Sequence, residues 1–455
     1  MCTILLVHRS SQDPPTNLPG RGRRLAVIGA GTRGYGYAGL AAASGAEVVA
    51  VAEPDHRRRH RLLQGCGSST ARQAHTWEAL ELEANDVDGV IIATMDDMHV
   101  GPTLRFAPLR VPILLEKPIA RSWEDCRRLW TGLSDDAPPI LVAHVLRYAP
   151  YTRLLGSLIA DGALGDIVNV HHLEPVGFWH FAHSYVRGNW RSTATAADFM
   201  VAKACHDVDW IMHLVDSECV AVSSFASLSH FTPESRPEGA AERCVDCSVD
   251  CVYDARSIYL DPARGGDFSW PVEPIVTEHT AAAVADALEH GRYGRCVYSG
   301  DNDVPDTQVA SLLFAGGQTA TITVSAFTEL RSRLTVVSGT RAEATVTAAG
   351  VELYSFGSRS RRFWPAEGDG GTGLADSHGG GGDCALVDRF LSEINHPTEE
   401  GRAALAEALR THRVTFAVEE ARRRGRIVDP RDLPGLDDTA AAGQPGDPDQ
   451  ERSHR

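Results

Sequence analysis

The tripeptide Glu116-Lys117-Pro118 follows an apolar run at residues 111–115 that reads as a buried strand. A lysine at the carboxyl end of a strand can project into a ligand cleft, because open α/β sheets bind ligands outside those ends. About ninety residues downstream, Lys203, His206 and Asp209 recur at three-residue steps. On a helix this spacing predicts one shared face, with Val208, Ile211 and Met212 on the buried side. An imidazole there can exchange a proton near neutral pH. A lysine and a histidine facing one cleft could handle a hydroxyl that becomes a carbonyl.

Such a pair needs a partner to take the hydride. Gly29-Ala30-Gly31-Thr32-Arg33-Gly34 fits G-x-G-x-x-G between the apolar strand Leu25-Ala26-Val27-Ile28 and a small-residue helix. Glycines there permit a tight turn and a close approach of backbone to a pyrophosphate, which rests on the helix N-terminus. Thr32 and Arg33 lie inside the turn. Glu53 ends the next strand, 19 residues after Gly34, where an acid can accept hydrogen bonds from ribose hydroxyls. Glu53 favours NAD by repelling a 2′-phosphate. Arg57, Arg58 and Arg59 could instead pair with that phosphate, which keeps NADP open, or simply form a solvated helix start. Thr94 and His99 flank a loop on the same sheet edge that could line the nicotinamide, with Glu116 and Lys117 beside it. His99 could equally cap a helix or face solvent.

Two further clusters carry chemistry. Residues 178–191 (FWHFAHSYVRGNWR) are dense in aromatics, His and Arg. Tyr185, Arg187 and Trp190 would suit a polyhydroxylated substrate, with aromatic faces for C–H surfaces and polar tips for hydroxyls, against the alternative of an ordinary packed loop. Cys244, Cys247 and Cys251 have C-x₂-C-x₃-C spacing, that of metal ligands. A structural zinc needs a fourth ligand, for which Cys296 and His230 are candidates. Unmetallated thiols are the alternative.

The elements that must position these residues fall into two units. Residues 24–145 alternate strand and helix signals, which implies a doubly wound parallel sheet of the Rossmann type. Residues 146–428 carry longer, alternating strands and a hairpin signal around Gly316-Gly317, consistent with an α+β domain built on a mostly antiparallel sheet. Residues 402–424 read as an amphipathic helix ending at Gly425. Residues 1–23 and 429–455 read as disordered extensions, and the glycine-dense 367–383 as a mobile loop. The formal charge of −16 over 455 residues disfavours a nucleic-acid partner. No apolar run is long enough to cross a bilayer, so the expectation is a cytoplasmic protein without a disulfide framework.

In motif order the chain resembles the glucose-fructose oxidoreductase / inositol dehydrogenase (Gfo/Idh/MocA) family: Gly29-x-Gly31-x-x-Gly34, the Thr94 loop, Glu116-Lys117-Pro118, then a helix with His206 and Asp209. The resemblance covers about residues 24–428. It implies a Rossmann domain, a C-terminal domain with a large open sheet, and NAD(P)-dependent redox chemistry on sugars, cyclitols or their derivatives. It implies that Lys117 binds the reacting hydroxyl, that His206 is the acid/base, and that the open sheet pairs subunits into a homo-oligomer. The family pattern usually has an aspartate four residues before the histidine. Here that position is Ala202, with Lys203 beside it. Relatives that cleave glycosides without net redox change, and non-catalytic cofactor-sensing regulators, share the fold.

Overall fold

The computed structural model describes residues 23–366 and 382–438. Its first sheet has the strands β1 (Arg24–Ile28), β2 (Glu47–Ala52), β3 (Arg72–Ala74), β4 (Gly89–Ile92), β5 (Ile113–Leu115) and β6 (Ile140–Val142). They run in the order β3-β2-β1-β4-β5-β6, and every pairing is parallel. β4, β5 and β6 are buried at every residue, which is why they read as unbroken apolar runs rather than alternating ones. The expected doubly wound sheet is present. The carboxyl ends of β1, β2, β4 and β5 bring the glycine turn, Glu53, Thr94 and Glu116 to one edge.

The second sheet has eight strands: β7 (Ile167–Pro175), β8 (Cys219–Ser227), β9 (Thr307–Phe314), β10 (Thr319–Ser325), β11 (Leu334–Gly339), β12 (Ala342–Thr347), β13 (Gly350–Ser355) and β14 (Ser360–Pro365). The order is β14-β13-β12-β11-β7-β10-β9-β8. All pairings are antiparallel except β7 with β10. The hairpin between β9 and β10 turns at Gly317, whose φ of +86° suits glycine. β9 and β10 alternate buried and outward residues, so one face of the sheet packs and the other stays open. The packed face lies under the Phe199–Val215 helix and part of the Glu399–Arg424 helix. The central strand β7 turns Val170, His172 and Glu174 inward toward the first of these.

Three expectations about the second half of the chain change. The helix Gly382–Asn395 packs Leu386, Val387, Phe390 and Leu391 onto the N-terminal core, although it follows the second sheet in sequence. Residues 429–438 do not form a loose tail: Trp123 and Trp130 donate their indole N–H to Pro434 O and Asp437 Oδ1, both at 2.8 Å. The remainder of that segment, most of the N-terminal extension and residues 367–381 lie outside the described residues. The helix expected at 402–424 starts earlier, at Glu399, because Thr398 caps it by accepting from Gly401 N.

Candidate active site

The glycine turn is built for close approach. Gly29 has φ +92°, and a Cβ there would sit 2.4 Å from Ala93 O. A Cβ on Gly34 would fall 1.9 Å from Gly29 O. At Gly31, by contrast, nothing lies within 4 Å of the Cβ position. Gly31 is the N-cap of helix α1 (Thr32–Ala43), which has no side-chain cap and no acid in its first turn. The turn therefore leaves open room at a helix N-terminus, the environment that a pyrophosphate needs. These residues fit a dinucleotide.

Around that room the polar groups are ordered. Glu53, at the end of β2, accepts Ala30 N at 2.8 Å and Asp55 N at 3.1 Å. Thr32 donates its hydroxyl to Glu273 at 3.0 Å, and Arg61 pairs with the same carboxylate. Of the arginines that kept NADP open, Arg57 is held by Thr277 (2.7 Å) and Glu278 (3.3 Å). Arg59 donates to the carbonyls of Glu53 and Pro54. Arg33 turns away from the cleft, to Glu116 and Asp383, both at 2.7 Å.

Glu116 is likewise an internal anchor. It accepts from Arg33, from the Tyr37 hydroxyl (2.7 Å) and from Lys117 N (2.8 Å). Burial alone would raise its carboxyl, but Arg33 and Lys117 outweigh that and bring it down to about 2. His99 stands at the N-cap position of the helix Val100–Phe106, but its side chain makes no capping hydrogen bond and does not face solvent. Its ring is buried between Pro118 O (2.6 Å) and Thr94 O (3.2 Å), so it ties the β4 loop to the β5 loop. With its neighbours tied down, Lys117 reaches across to the C-terminal domain and donates to Ala202 O at 2.7 Å.

That carbonyl belongs to the Phe199–Val215 helix, one turn before His206. His206 is buried, and its Nε2 lies 2.7 Å from Arg333 Nη2 and 3.3 Å from Asp207 Oδ2. Burial, reinforced by Arg333 and only partly offset by Asp207, brings the imidazole down to about 4. Lys203 pairs with Glu174 at 3.0 Å, and Arg333 pairs with Glu174 at 2.8 Å and with Asp207. His172 completes the chain by contacting Asp207 at 2.9 Å and Thr335 at 2.8 Å. Lys117 thus touches the helix backbone beside Lys203, and Glu174, Arg333 and Asp207 link Lys203 to His206.

Other expected residues do not join them. Asp209 points to a different side of the helix, to Arg147 at 2.5 and 2.6 Å and to the Thr411 hydroxyl at 3.0 Å. The reason is the helix itself: six residues at about 100° each turn through roughly 600°, leaving Asp209 about 120° from Lys203. Tyr185 is buried against Phe181 and Phe199. Arg187 is buried too, donating to Arg295 O and Tyr253 O. Trp190 does reach the cleft edge, where its indole donates to Asp96 at 3.1 Å. Among the described residues, no group of three or more His, Cys, Asp or Glu side chains is disposed to hold a metal ion as it stands, the Cys244, Cys247 and Cys251 trio included.

Glu174, Arg333 and His172 were not singled out from the sequence, while Asp207 and Asp96 lie in the helix and the β4 loop that were, without being given a role of their own. Asp207 was legible, being four residues after Lys203 and next to His206. The others sit on strands or loops whose meeting depends on sheet register.

Residues 23–143 match the oxidoreductase family, NAD-binding Rossmann fold, and residues 157–428 match the same family's C-terminal alpha/beta domain. The chain belongs to the Gfo/Idh/MocA oxidoreductase family. It is 23% identical to YteT of Bacillus subtilis over 380 residues, 76% of this chain and 82% of that one. It is 27% identical to inositol 2-dehydrogenase 3 of Saccharopolyspora erythraea over 293 residues, 58% of this chain and 82% of the relative. The fold is similar to that of an oxidoreductase from Agrobacterium radiobacter solved with NAD+, L-tartaric acid and magnesium. The TM-score is 0.64 at 16% identity, covering 91% of this chain and all (100%) of the other.

Proposed function

We propose that this protein is an NAD-dependent dehydrogenase acting on a secondary hydroxyl of a sugar, cyclitol or derivative. The observation that carries the reading is the Lys117–Ala202 contact, which sets a lysine at a Rossmann strand end within one helical turn of a neutral histidine. Bound nicotinamide would supply the hydride acceptor, or the donor in the reverse direction. Gly29, Gly31 and Gly34 would admit its pyrophosphate, and Glu53 would receive the ribose hydroxyls. Lys117 would donate to the reacting oxygen and stabilise the alkoxide as it develops. His206, kept neutral by burial and by Arg333, would take the hydroxyl proton on Nε2 once the substrate hydroxyl replaces the Arg333 donor at that lone pair.

Lys203 would hold a neighbouring hydroxyl, with Glu174 fixing its ammonium. The buried Lys203 and the half-buried Lys117 and Arg333 face the buried carboxylates Glu174, Asp207 and Asp96, a balance that suits an uncharged polyol. NAD rather than NADP is favoured because Glu53 occupies the β2 end and Arg57 and Arg59 are already engaged. We place the enzyme in the cytoplasm, and among the described residues no helix is long and apolar enough to cross a membrane. The open sheet exposes Val168, Phe225, Val309 and Leu313, which supports a homo-oligomer joined through that face.

Lys117→Met and His206→Asn test the assignment. Each should lower kcat by about 100-fold or more while leaving NAD affinity nearly unchanged. Wild-type turnover in both variants would overturn it.

A further inference from the structure

Between β8 and β9 the chain makes a long excursion with a small core of its own, built on Ala255, Tyr259, Leu260, Val272, Val284 and Leu288. Cys244 begins a short turn closed by Cys247 N on Cys244 O at 3.3 Å, and Cys251 follows after that turn. Some fifty residues later the chain returns beside it. Arg243 and Arg295 form a β-bridge, and Cys296 N donates to Glu242 O at 2.9 Å. The return brings Cys296 to the same cavity as the other three thiols. His230, the rival fourth ligand, sits instead among aromatic rings with Nε2 on the Tyr298 hydroxyl at 3.1 Å.

A second feature of the cavity points to an anionic centre. Arg187 also lines it and is only 3% exposed. Its hydrogen bonds go to Arg295 O at 2.9 Å, Tyr253 O at 2.8 Å and Cys244 Sγ at 3.4 Å, none of them a carboxylate. Its Nη1 is buried without a hydrogen-bond partner. A buried guanidinium is costly unless an opposite charge faces it. Four neutral thiols do not supply that charge, whereas four thiolates around a divalent ion carry two net negative charges.

We propose that Cys244, Cys247, Cys251 and Cys296 ligate one thiolate-bound metal centre, with Arg187 as its buried counter-charge. The centre is either a single zinc ion or an iron–sulfur cluster, since both take four cysteine thiolates. On zinc binding the four thiols release their protons to solvent, and no electron is transferred. The thiols ring the cavity without converging as they stand, so a single ion draws them inward, while a cluster spans a wider ring. The centre staples the two ends of the excursion together. The same excursion carries Glu273 to Thr32 and Arg61, and Thr277 and Glu278 to Arg57, so the staple orders the cover over the cofactor's phosphate edge.

Elemental analysis of the purified full-length protein, expressed with zinc and iron available, is the test. About one zinc per chain identifies the ion. About four irons per chain with matching sulfide and a visible absorption band identify the cluster. A chain that holds neither metal, with these four thiols titrating as free in the native protein, overturns the proposal. Cys296→Ser should lose the metal and melt at lower temperature, whereas Cys66→Ser, outside the cavity, should keep both. Full metal content in Cys296→Ser would contradict the fourth ligand, and the wild-type analysis stands even if that variant fails to fold.

Discussion

Arg333 Nη2 lies 2.7 Å from Nε2 of His206, and a guanidinium has no acceptor to offer. The hydrogen bond therefore runs from Arg333 to an imidazole lone pair, which requires His206 to be neutral. Removing the guanidinium takes away a charge that opposes protonation and leaves Asp207, which favours it. Arg333→Met should raise the His206 pKa from about 4 toward its ordinary 6.5, and the acid limb of kcat/KM should rise with it. Arg333→Gln, which keeps a donor, should shift the limb less in kinetic side-by-side profiles. Coincident profiles for all three proteins would contradict the coupling. Arg333→Met also leaves Glu174 and Asp207 short of a buried partner, so it should cost about 3–5 kcal/mol in denaturant melts.

Acid should destabilise the fold through its buried histidines. Burial brings His206 down to about 4 and His183 and His412 down to about 3. His144 and His180 are lowered by burial as well. Below the ordinary value of 6.5 the unfolded chain takes up protons that the folded chain refuses. The stability these groups contribute is full above that value and is lost as pH falls through it toward the folded values. The melting temperature should decline steeply as pH is lowered from about 6.5 to about 4, and a flat profile there would refute the neutral-histidine core.

Glu53 should set cofactor choice. Wild-type protein should use NAD about tenfold or more better than NADP in kcat/KM, since a carboxylate at the β2 end repels a 2′-phosphate. Glu53→Ser should narrow that ratio by releasing both the repulsion and the hold on Asp55 N. An unchanged ratio would move the choice to the arginines.

Gly34→Ala tests the turn without touching the chemistry. Its Cβ would meet backbone at 1.9 Å, a clash that no rotamer relieves. It should cost about 1–3 kcal/mol and weaken NAD binding, read by melting and titration.

How far the sequence reached follows from which contacts are local. The glycine turn, Glu53 and the Glu116-Lys117-Pro118 step were legible because each sits at a fixed offset within one strand–turn–helix unit. The His206 helix was legible too, but a repeat of three drifts around a helix, and so Asp209 was assigned to the wrong face. Glu174 and Arg333 carried no local signal. They meet only because β11 pairs with β7 so that Leu334 faces Leu173, which sets Arg333 beside Glu174. Arg187 was legible as a functional type, yet its environment depends on an excursion that closes more than a hundred residues later, at Arg295.

The most direct test of the central claim is absorbance at the reduced-nicotinamide band. Purified protein would be mixed with NAD or NADP and a panel of cyclitols, free sugars, amino sugars and nucleotide sugars. The account predicts NADH accumulation with one polyol group and loss of that signal in Lys117→Met. Tight NAD binding with no reduction by any of them, but with hydrolysis of a glycoside, would contradict the dehydrogenase reading in favour of redox-neutral glycoside cleavage.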